Sequence, residues 1–290
     1  MSSPADSDDA FPHNYLSPSA SYGMPGSTFL YASPLRSPEP FLFDLPIPSP
    51  KSRDLYSHLV WHASVVLADQ VAAGEIEVAG KTVLELGCGL GLPGLVAARM
   101  GAKQVVLSDY ADPRALADTR RTAEATLPPE LLSRCDIVGH TFGDSVDPLF
   151  KFSSHFDVIL VADCVWEPTL HAPLISTLRT LLDRCPHATV HFAAGFHTGR
   201  RTVAQFLARA QEQAIVPLPP EGWREVSFEG EERPWNWDGC APEWTTRGGG
   251  GEGRQAWSDL SFPAPALSAE ERQEERIRWT LYGTLGAGEV

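Results

Sequence analysis

The stretch from Lys81 to Asp109, KTVLELGCGLGLPGLVAARMGAKQVVLSD, limits the folds open to this chain more than any other. Thr82–Leu86 is a short apolar run with β-branched residues, as a buried strand requires. Gly87, Gly89 and Gly91 follow at once. Pro93 suits a first helical turn, where a missing N–H costs nothing. Leu95–Met100 continues as helix, and Gly101 stands where a helix-ending glycine belongs. Gln104–Leu107 is a second apolar strand, running into Ser108, Asp109 and Tyr110. The pattern is a βαβ unit with a glycine turn after its first strand and an acid at the tip of its second. In open α/β sheets such strand ends form the ligand site.

Two templates fit the turn. Gly89-Leu-Gly91-Leu-Pro-Gly94 is a literal G-x-G-x-x-G, the dinucleotide fingerprint. Glu85-Leu-Gly87-Cys-Gly89 is E-x-G-x-G, which resembles motif I of the class I methyltransferases that use S-adenosylmethionine (SAM). A dinucleotide site needs its first glycine directly after the strand, so that pyrophosphate sits on the helix N-terminus. Counted from Gly87, the fingerprint fails. Glu85 also puts an acid beside the turn, awkward for a pyrophosphate and tolerable for a ligand carrying a sulfonium and an ammonium. These points favour SAM over NAD. A glycine turn without a ligand is the plainer alternative. It is disfavoured because closely spaced glycines weaken a fold without packing benefit.

The chain of 290 residues allows one or two domains, and 43% hydrophobic content is enough for a sizeable core. A net charge of −14 argues against general affinity for nucleic acid or anionic membranes, both of which need a basic face. Cys88, Cys135, Cys164, Cys185 and Cys240 are widely spaced, with no C-x-x-C. Neither a metal site nor a disulfide framework is expected, and a reducing cytoplasmic or nuclear setting is. No secretory signal and no apolar run of membrane-spanning length is visible.

Met1–Pro40 is rich in Ser and Pro, lacks periodicity and reads as a disordered tail. The catalytic domain is expected over residues 41–290, with Phe41–Leu45 as a short strand against it. Tyr56–Val71 has apolar residues at helical spacing and places Trp61 on a helix ahead of the first strand. A helix is expected from about Arg114 to Ala125, after Asp112-Pro113. Ile137–Phe142 reads as a third strand. Phe156–Cys164 (FDVILVADC) reads as a central one because its aliphatics are nearly continuous. His171–Leu182 is an amphipathic helix, Ala188–Ala194 a fifth strand, Gly199–Gln213 a helix, and Trp223–Phe228 a sixth strand. Residues 229–266 form a long flexible insertion holding Trp235, Trp237, Trp244 and Trp257. Arg276–Leu285 is a last strand, able to pair antiparallel beside the sixth. His187 and His191 share an i,i+4 spacing on a strand, which makes no helical metal pair, and are read as structural.

Several residues stand at strand ends. Asp109 can accept hydrogen bonds from both ribose hydroxyls of an adenosyl ligand, with a turn-capping acid as the bland alternative. Phe142 can cover an adenine face or simply pack. Asp163 and Trp166 follow the central strand, where acceptor and methyl donor would meet. Helix capping is an equal alternative for Asp163, and for Trp61 alone a core tryptophan is the simpler reading.

The succession of seven strands with intervening helices resembles the seven-strand class I methyltransferase fold. That is an α/β, Rossmann-like, mostly parallel sheet with one antiparallel strand, helices on both faces, and strand order 3-2-1-4-5-7-6. More closely, Leu59-Val60-Trp61, VLELGCGLGLPG, VVLSDY, Phe142-Gly143, DVILVADCVWEP, GFHTGR and ERIRW resemble the lysine methyltransferase-like family known as methyltransferase-16. Within it, the chain is similar to fungal nicotinamide N-methyltransferase-like proteins. Some of these methylate elongation factor 1-alpha at its N-terminus and a nearby lysine. The resemblance implies SAM contacts from Trp61, Glu85, Gly87, Cys88, Gly89, Asp109, Phe142 and Ala162, with no metal. It also implies a protein substrate, no nucleic-acid or membrane partner, and a monomer. Two positions depart from the family pattern. The third-strand Trp-Gly is Phe142-Gly143 here, and a D-x-x-Y is Asp163-Cys164-Val165-Trp166.

Transfer to an amine needs the acceptor neutral, and a lysine near pKa 10.4 must first lose a proton. Asp163 could orient that amine or take the proton, and Trp166 could hold the cation against its ring. The expected activity is N-methylation of a protein lysine or N-terminal amine. The alternatives are a small-molecule N-methyltransferase and a SAM-fold scaffold without catalysis. A NAD-linked reductase would need a Tyr-x-x-x-Lys pair, which is not seen.

Overall fold

The structure, a computed structural model, describes residues 21–34, 37–49, 56–218, 222–235 and 278–288. The chain opens with β1 (Ser21–Tyr22), β2 (Thr28–Ala32), β3 (Leu42–Pro46) and β4 (Val60–Trp61), and then α1 (His62–Ala72). The βαβ unit follows as β5 (Thr82–Leu86), α2 (Leu92–Arg99) and β6 (Gln104–Asp109). After it come α3 (Pro113–Thr126), the single turn α4 (Pro129–Leu132), β7 (Cys135–Gly139), β8 (Val158–Ala162) and α5 (His171–Arg184). The last third holds β9 (Thr189–Gly195), α6 (Arg200–Glu212), β10 (Ile215–Pro217), β11 (Arg224–Ser227), β12 (Glu232–Pro234) and β13 (Trp279–Ala287).

The main sheet runs β7-β6-β5-β8-β9-β13-β11, which is the expected order 3-2-1-4-5-7-6. The first five of these strands pair parallel, and β13 lies antiparallel between β9 and β11. Two short strands enlarge it to nine: β12 forms a hairpin with β11, and β10 pairs with β13. Alternation along the strands divides the core in two, because successive side chains point to opposite faces. Leu84, Leu86, Val106, Ile159 and Val161 meet α5 and α6 through Leu174, Leu178, Phe206 and Leu207. Val83, Val105, Leu107, Val158 and Leu160 meet α1 and α2 through Val66, Leu67, Leu95 and Val96.

Four expectations are corrected. The tail boundary at residue 40 cuts through structure: β2 and β3 pair as an antiparallel hairpin and bury Tyr31, Phe43 and Leu45 against the α1–α2 face. The cause is local alternation, Phe29/Tyr31 and Phe43/Leu45/Ile47, which the Ser and Pro content masks. Tyr31 Oη donates to Asp69 Oδ1 on α1 at 2.9 Å. Trp61 is not within a helix. It is the extended N-cap of α1 (φ −87°, ψ 151°) and pairs with Ser21 across β1–β4. The third strand ends at Gly139, so Phe142 lies three residues beyond it in the following loop. Finally, residues 232–234 of the long insertion are an edge strand. Residues 236–266, and residues 1–20 of the tail, lie outside the described part of the chain.

Candidate active site

The carboxyl ends of β5, β6 and β8 open onto one cavity of about 480 Å³. Its floor is the turn after β5, where Gly87, Gly89 and Gly91 have φ of 62°, 53° and 80°. L-residues avoid this left-handed region. Two of these positions are also closed to any side chain. A Cβ on Gly87 would lie 2.5 Å from Cys164 Sγ, and one on Gly89 would lie 2.9 Å from the backbone oxygen of Ser57. The segment 56–59 therefore passes directly over the turn, at a distance that only glycine permits.

Asp109 ties the turn to the second strand. Its Oδ2 accepts from Gly89 N at 2.6 Å and its Oδ1 from Tyr110 N at 2.7 Å. Burial pushes the Asp109 carboxyl above its ordinary pKa, partly opposed by those two N–H donors. Thr119 Oγ1, on α3, donates to Gly89 O at 2.6 Å. On the β8 side, Cys164 Sγ donates to Leu86 O and Ala162 O, each at 3.3 Å. Burial raises both the Cys88 and Cys164 thiols well above their ordinary pKa, so neither is an available thiolate nucleophile.

The far end is built from side chains. Asp163 follows β8 with φ of 56°, unusual for a non-glycine residue. Its N–H donates to Ala193 O at 2.8 Å, and its Oδ1 accepts from Gly195 N at 3.1 Å. The Trp166 ring meets Tyr56 edge-on, with centroids 6.0 Å apart. Trp61 Nε1 donates to Tyr56 O at 3.2 Å.

The cavity lining includes Trp61, Gly87, Cys88, Gly89, Asp109, Phe142, Ala162, Asp163 and Trp166. These are the singled-out residues save one. Glu85 stands behind the wall. It shares its strand face with Val83, so alternation points it under α2, where Oε2 accepts from Gly94 N at 2.8 Å. It is buried, Oε1 has no hydrogen-bond partner, and burial pushes its pKa up to about 8. Glu85 braces the first turn of α2 and does not face the cavity. Residues that motif reading passed over are Tyr56 and Ser57 above the turn, His140 after β7, and His197 behind Asp163. All four lie within runs the sequence marks, Tyr56–Val71, Ile137–Phe142 and GFHTGR, but spacing gives no hint of their neighbours.

The match to the family model described as lysine methyltransferase extends over residues 49–213, more than half of the chain. The chain belongs to the lysine methyltransferase family. Among the family's curated proteins, it is 31% identical over 186 residues to the protein N-terminal and lysine N-methyltransferase EFM7 of Candida glabrata. That match covers 62% of this chain and 73% of the relative. It is 32% identical over 145 residues to efm7 of Schizosaccharomyces pombe, covering 48% of this chain and 56% of the relative. The chain thus spans only a little over half the length of some of the relatives it matches. Among solved structures, SMU.776 complexed with SAH aligns with a TM-score of 0.49 and 13% identity, over 92% of this chain and 58% of that one.

The family implies SAM, and the residues fit it. Gly87 and Gly89 both line the cavity, so a ligand there meets the turn without a side chain on either. Asp109 offers carboxylate acceptors to hydroxyls. Among the described residues lining the cavity there are two aspartates and neither lysine nor arginine. A pyrophosphate would lack any counter-charge there, whereas a sulfonium and an ammonium would be welcome. No group of described residues could hold a metal ion, and no described helix is long and apolar enough to cross a membrane.

Proposed function

We propose that this protein transfers the methyl group of SAM to a protein amine, a lysine side chain or an N-terminal amino group. The observation that carries the reading is the pairing, in one cavity, of a backbone-lined glycine turn with Asp109 at one end and Asp163 with Trp166 at the other. When bound, SAM supplies an already activated methyl group on a sulfonium. The chain's own work is then positioning and proton management, and alignment is the larger part. Gly87, Gly89 and Asp109 hold the donor, and Trp61, Phe142 and Ala162 wall it from water. Asp163 receives the acceptor as an ammonium, orients it, and takes its proton at Oδ2, since Oδ1 is held by Gly195. Trp166 and Tyr56, both in the lining, offer a ring face to the cationic nitrogen.

The names of the EFM7 relatives support a protein acceptor. The four described cysteines are free, in keeping with a reducing compartment such as the cytosol or nucleus. Incubating the protein with tritium-labelled SAM and cell lysate, then identifying the labelled band by mass spectrometry, tests the reading. A methylated lysine or N-terminal amine is expected. Label confined to small molecules would overturn the protein acceptor, and failure to bind SAH by calorimetry would overturn the donor.

A further inference from the structure

His197 lies in the loop from β9 to α6 and is 8% exposed. Its Nδ1 stands 3.8 Å from Asp163 Oδ2. Its ring stacks on Trp61, with centroids 5.3 Å apart and planes 22° from parallel. One imidazole therefore touches the acceptor-side carboxylate and the donor-side indole together. The approach is possible because residue 195 is glycine: a Cβ there would lie 2.8 Å from His197 Nδ1. The N–H of the same Gly195 holds the other oxygen of Asp163. One short segment thus holds one oxygen of the carboxylate by its backbone and sets its imidazole beside the other, at a residue whose left-handed backbone persists only if its surroundings hold it. The charged side chain facing the imidazole is Asp163. Arg200, three residues on, is turned to Glu225.

The geometry points to His197 as a positioning residue for methyl transfer. Its Nδ1 faces Asp163 Oδ2 at ion-pair distance while its ring stacks on Trp61, so that the acceptor carboxylate and the donor wall keep one fixed relation. The inference rests on the methyl-transfer reading and adds to it a residue outside the cavity lining. It also accounts for the direction in which the free oxygen of Asp163 is presented. Without the imidazole beside Oδ2, the Gly195 N–H on Oδ1 is left as the side chain's one anchor among the described residues.

Two full-length variants separate positioning from packing. His197→Asn keeps an N–H near the place of Nδ1 and drops the ring. His197→Phe keeps a ring on Trp61 and drops the donor. Calorimetry with SAH is expected to give a dissociation constant within about threefold of the parent for His197→Phe, which keeps a ring on Trp61 and touches neither the glycine turn nor Asp109. Single-turnover transfer of tritium from saturating labelled SAM into lysate protein is expected to slow about tenfold or more in His197→Phe, which takes a polar partner away from a buried carboxylate. His197→Asn, which keeps the polar group and loses the ring on Trp61, should fall between the parent and His197→Phe. Parent-like transfer by His197→Phe would make the residue packing alone and overturn the inference, as would His197→Asn transferring no faster than His197→Phe. A parent protein that does not bind SAH would overturn the donor reading and this inference with it. A parent that binds SAH, with the variants ordered otherwise, would overturn this inference alone.

Discussion

The two ends of the cavity are made of different material. The donor end is backbone: three left-handed glycines, a carboxylate whose oxygens are both engaged by N–H groups, and a threonine hydroxyl fastening the turn from α3. Its parts lie within a few dozen residues of one another, and they hold their shape through hydrogen bonds that the chain makes with itself. The acceptor end is side chain: Asp163 and Trp166 after β8, Tyr56 ahead of α1, and His197 after β9. It is assembled from three distant segments and depends on stacking and on one strained residue. The lesson is that a donor site shared across many chemistries can be written once in the backbone. An acceptor site that differs between substrates is set by exchangeable rings and charges.

The contrast breaks first at Gly87. Gly87→Val puts a branched side chain at φ 62°, 2.5 Å from Cys164 Sγ. Left-handed strain and overpacking together cost about 3 kcal/mol. SAH affinity is expected to fall about a hundredfold by calorimetry, with a melting curve to separate lost binding from lost fold. An affinity within about threefold of the parent would mean that the turn gives way more easily than its geometry allows.

Asp163→Asn should do the reverse. Asparagine tolerates the left-handed backbone and keeps the bond from Gly195, but it carries no charge. Transfer into protein is expected to fall by about a hundredfold, the usual scale for losing a proton acceptor. SAH binding should be unchanged, and loss of SAH binding would move Asp163 to the donor side. Asp109→Asn sharpens the same comparison from the donor side. One of its two buried N–H partners faces an amide NH₂ in place of a carboxylate oxygen. An affinity loss of about tenfold is expected from a mismatched buried donor.

The smallest effect concerns Glu85. The folded protein holds its proton up to about pH 8, whereas the ordinary value is 4.5. Between those values the unfolded chain gives up a proton that the folded chain keeps. Stability therefore falls as pH rises through this window and levels off above it. Glu85→Gln removes the titration and can still accept from Gly94. Its melting temperature relative to the parent should rise by a few degrees, ~2–5 °C, from pH 5 to pH 8. A pH-independent difference would show that Glu85 is already ionised in the folded protein.

Much of this was legible in the sequence, and for a physical reason. The succession of the seven strands follows from runs long enough to read, and their order in the sheet from the resemblance to the methyltransferase fold. The glycine turn and Asp109 are local, so spacing alone brings them together. Glu85 was read from the wrong side, although alternation along Thr82–Leu86 already pointed it away from Leu84 and Leu86. Trp61 was assigned to a helix because the apolar spacing of Leu59 and Val60 carries on into α1. The pairing of β4 with β1 that makes Trp61 extended comes from residues about forty positions away. His197 could not have been found, because its meaning lies in Asp163 and Trp61, which only the fold brings to it.

The hairpin of β2 and β3 has a practical consequence. The lysine methyltransferase match begins at residue 49, yet Tyr31, Phe43, Leu45 and Ile47 lie N-terminal to it and are no more than 5% exposed. Each such side chain contributes roughly 1.5–3 kcal/mol by burial. Anyone trimming the gene to the match would strip a cladding from α1 and α2, leave bare oily helix surface, and obtain inclusion bodies where an enzyme was wanted. The arm also carries Tyr22, whose hydroxyl pairs with His62 at 3.1 Å, directly beside Trp61. What looks like a dispensable leader thus packs on the helices behind the cavity, through β3 on α3 and Tyr31 on α1.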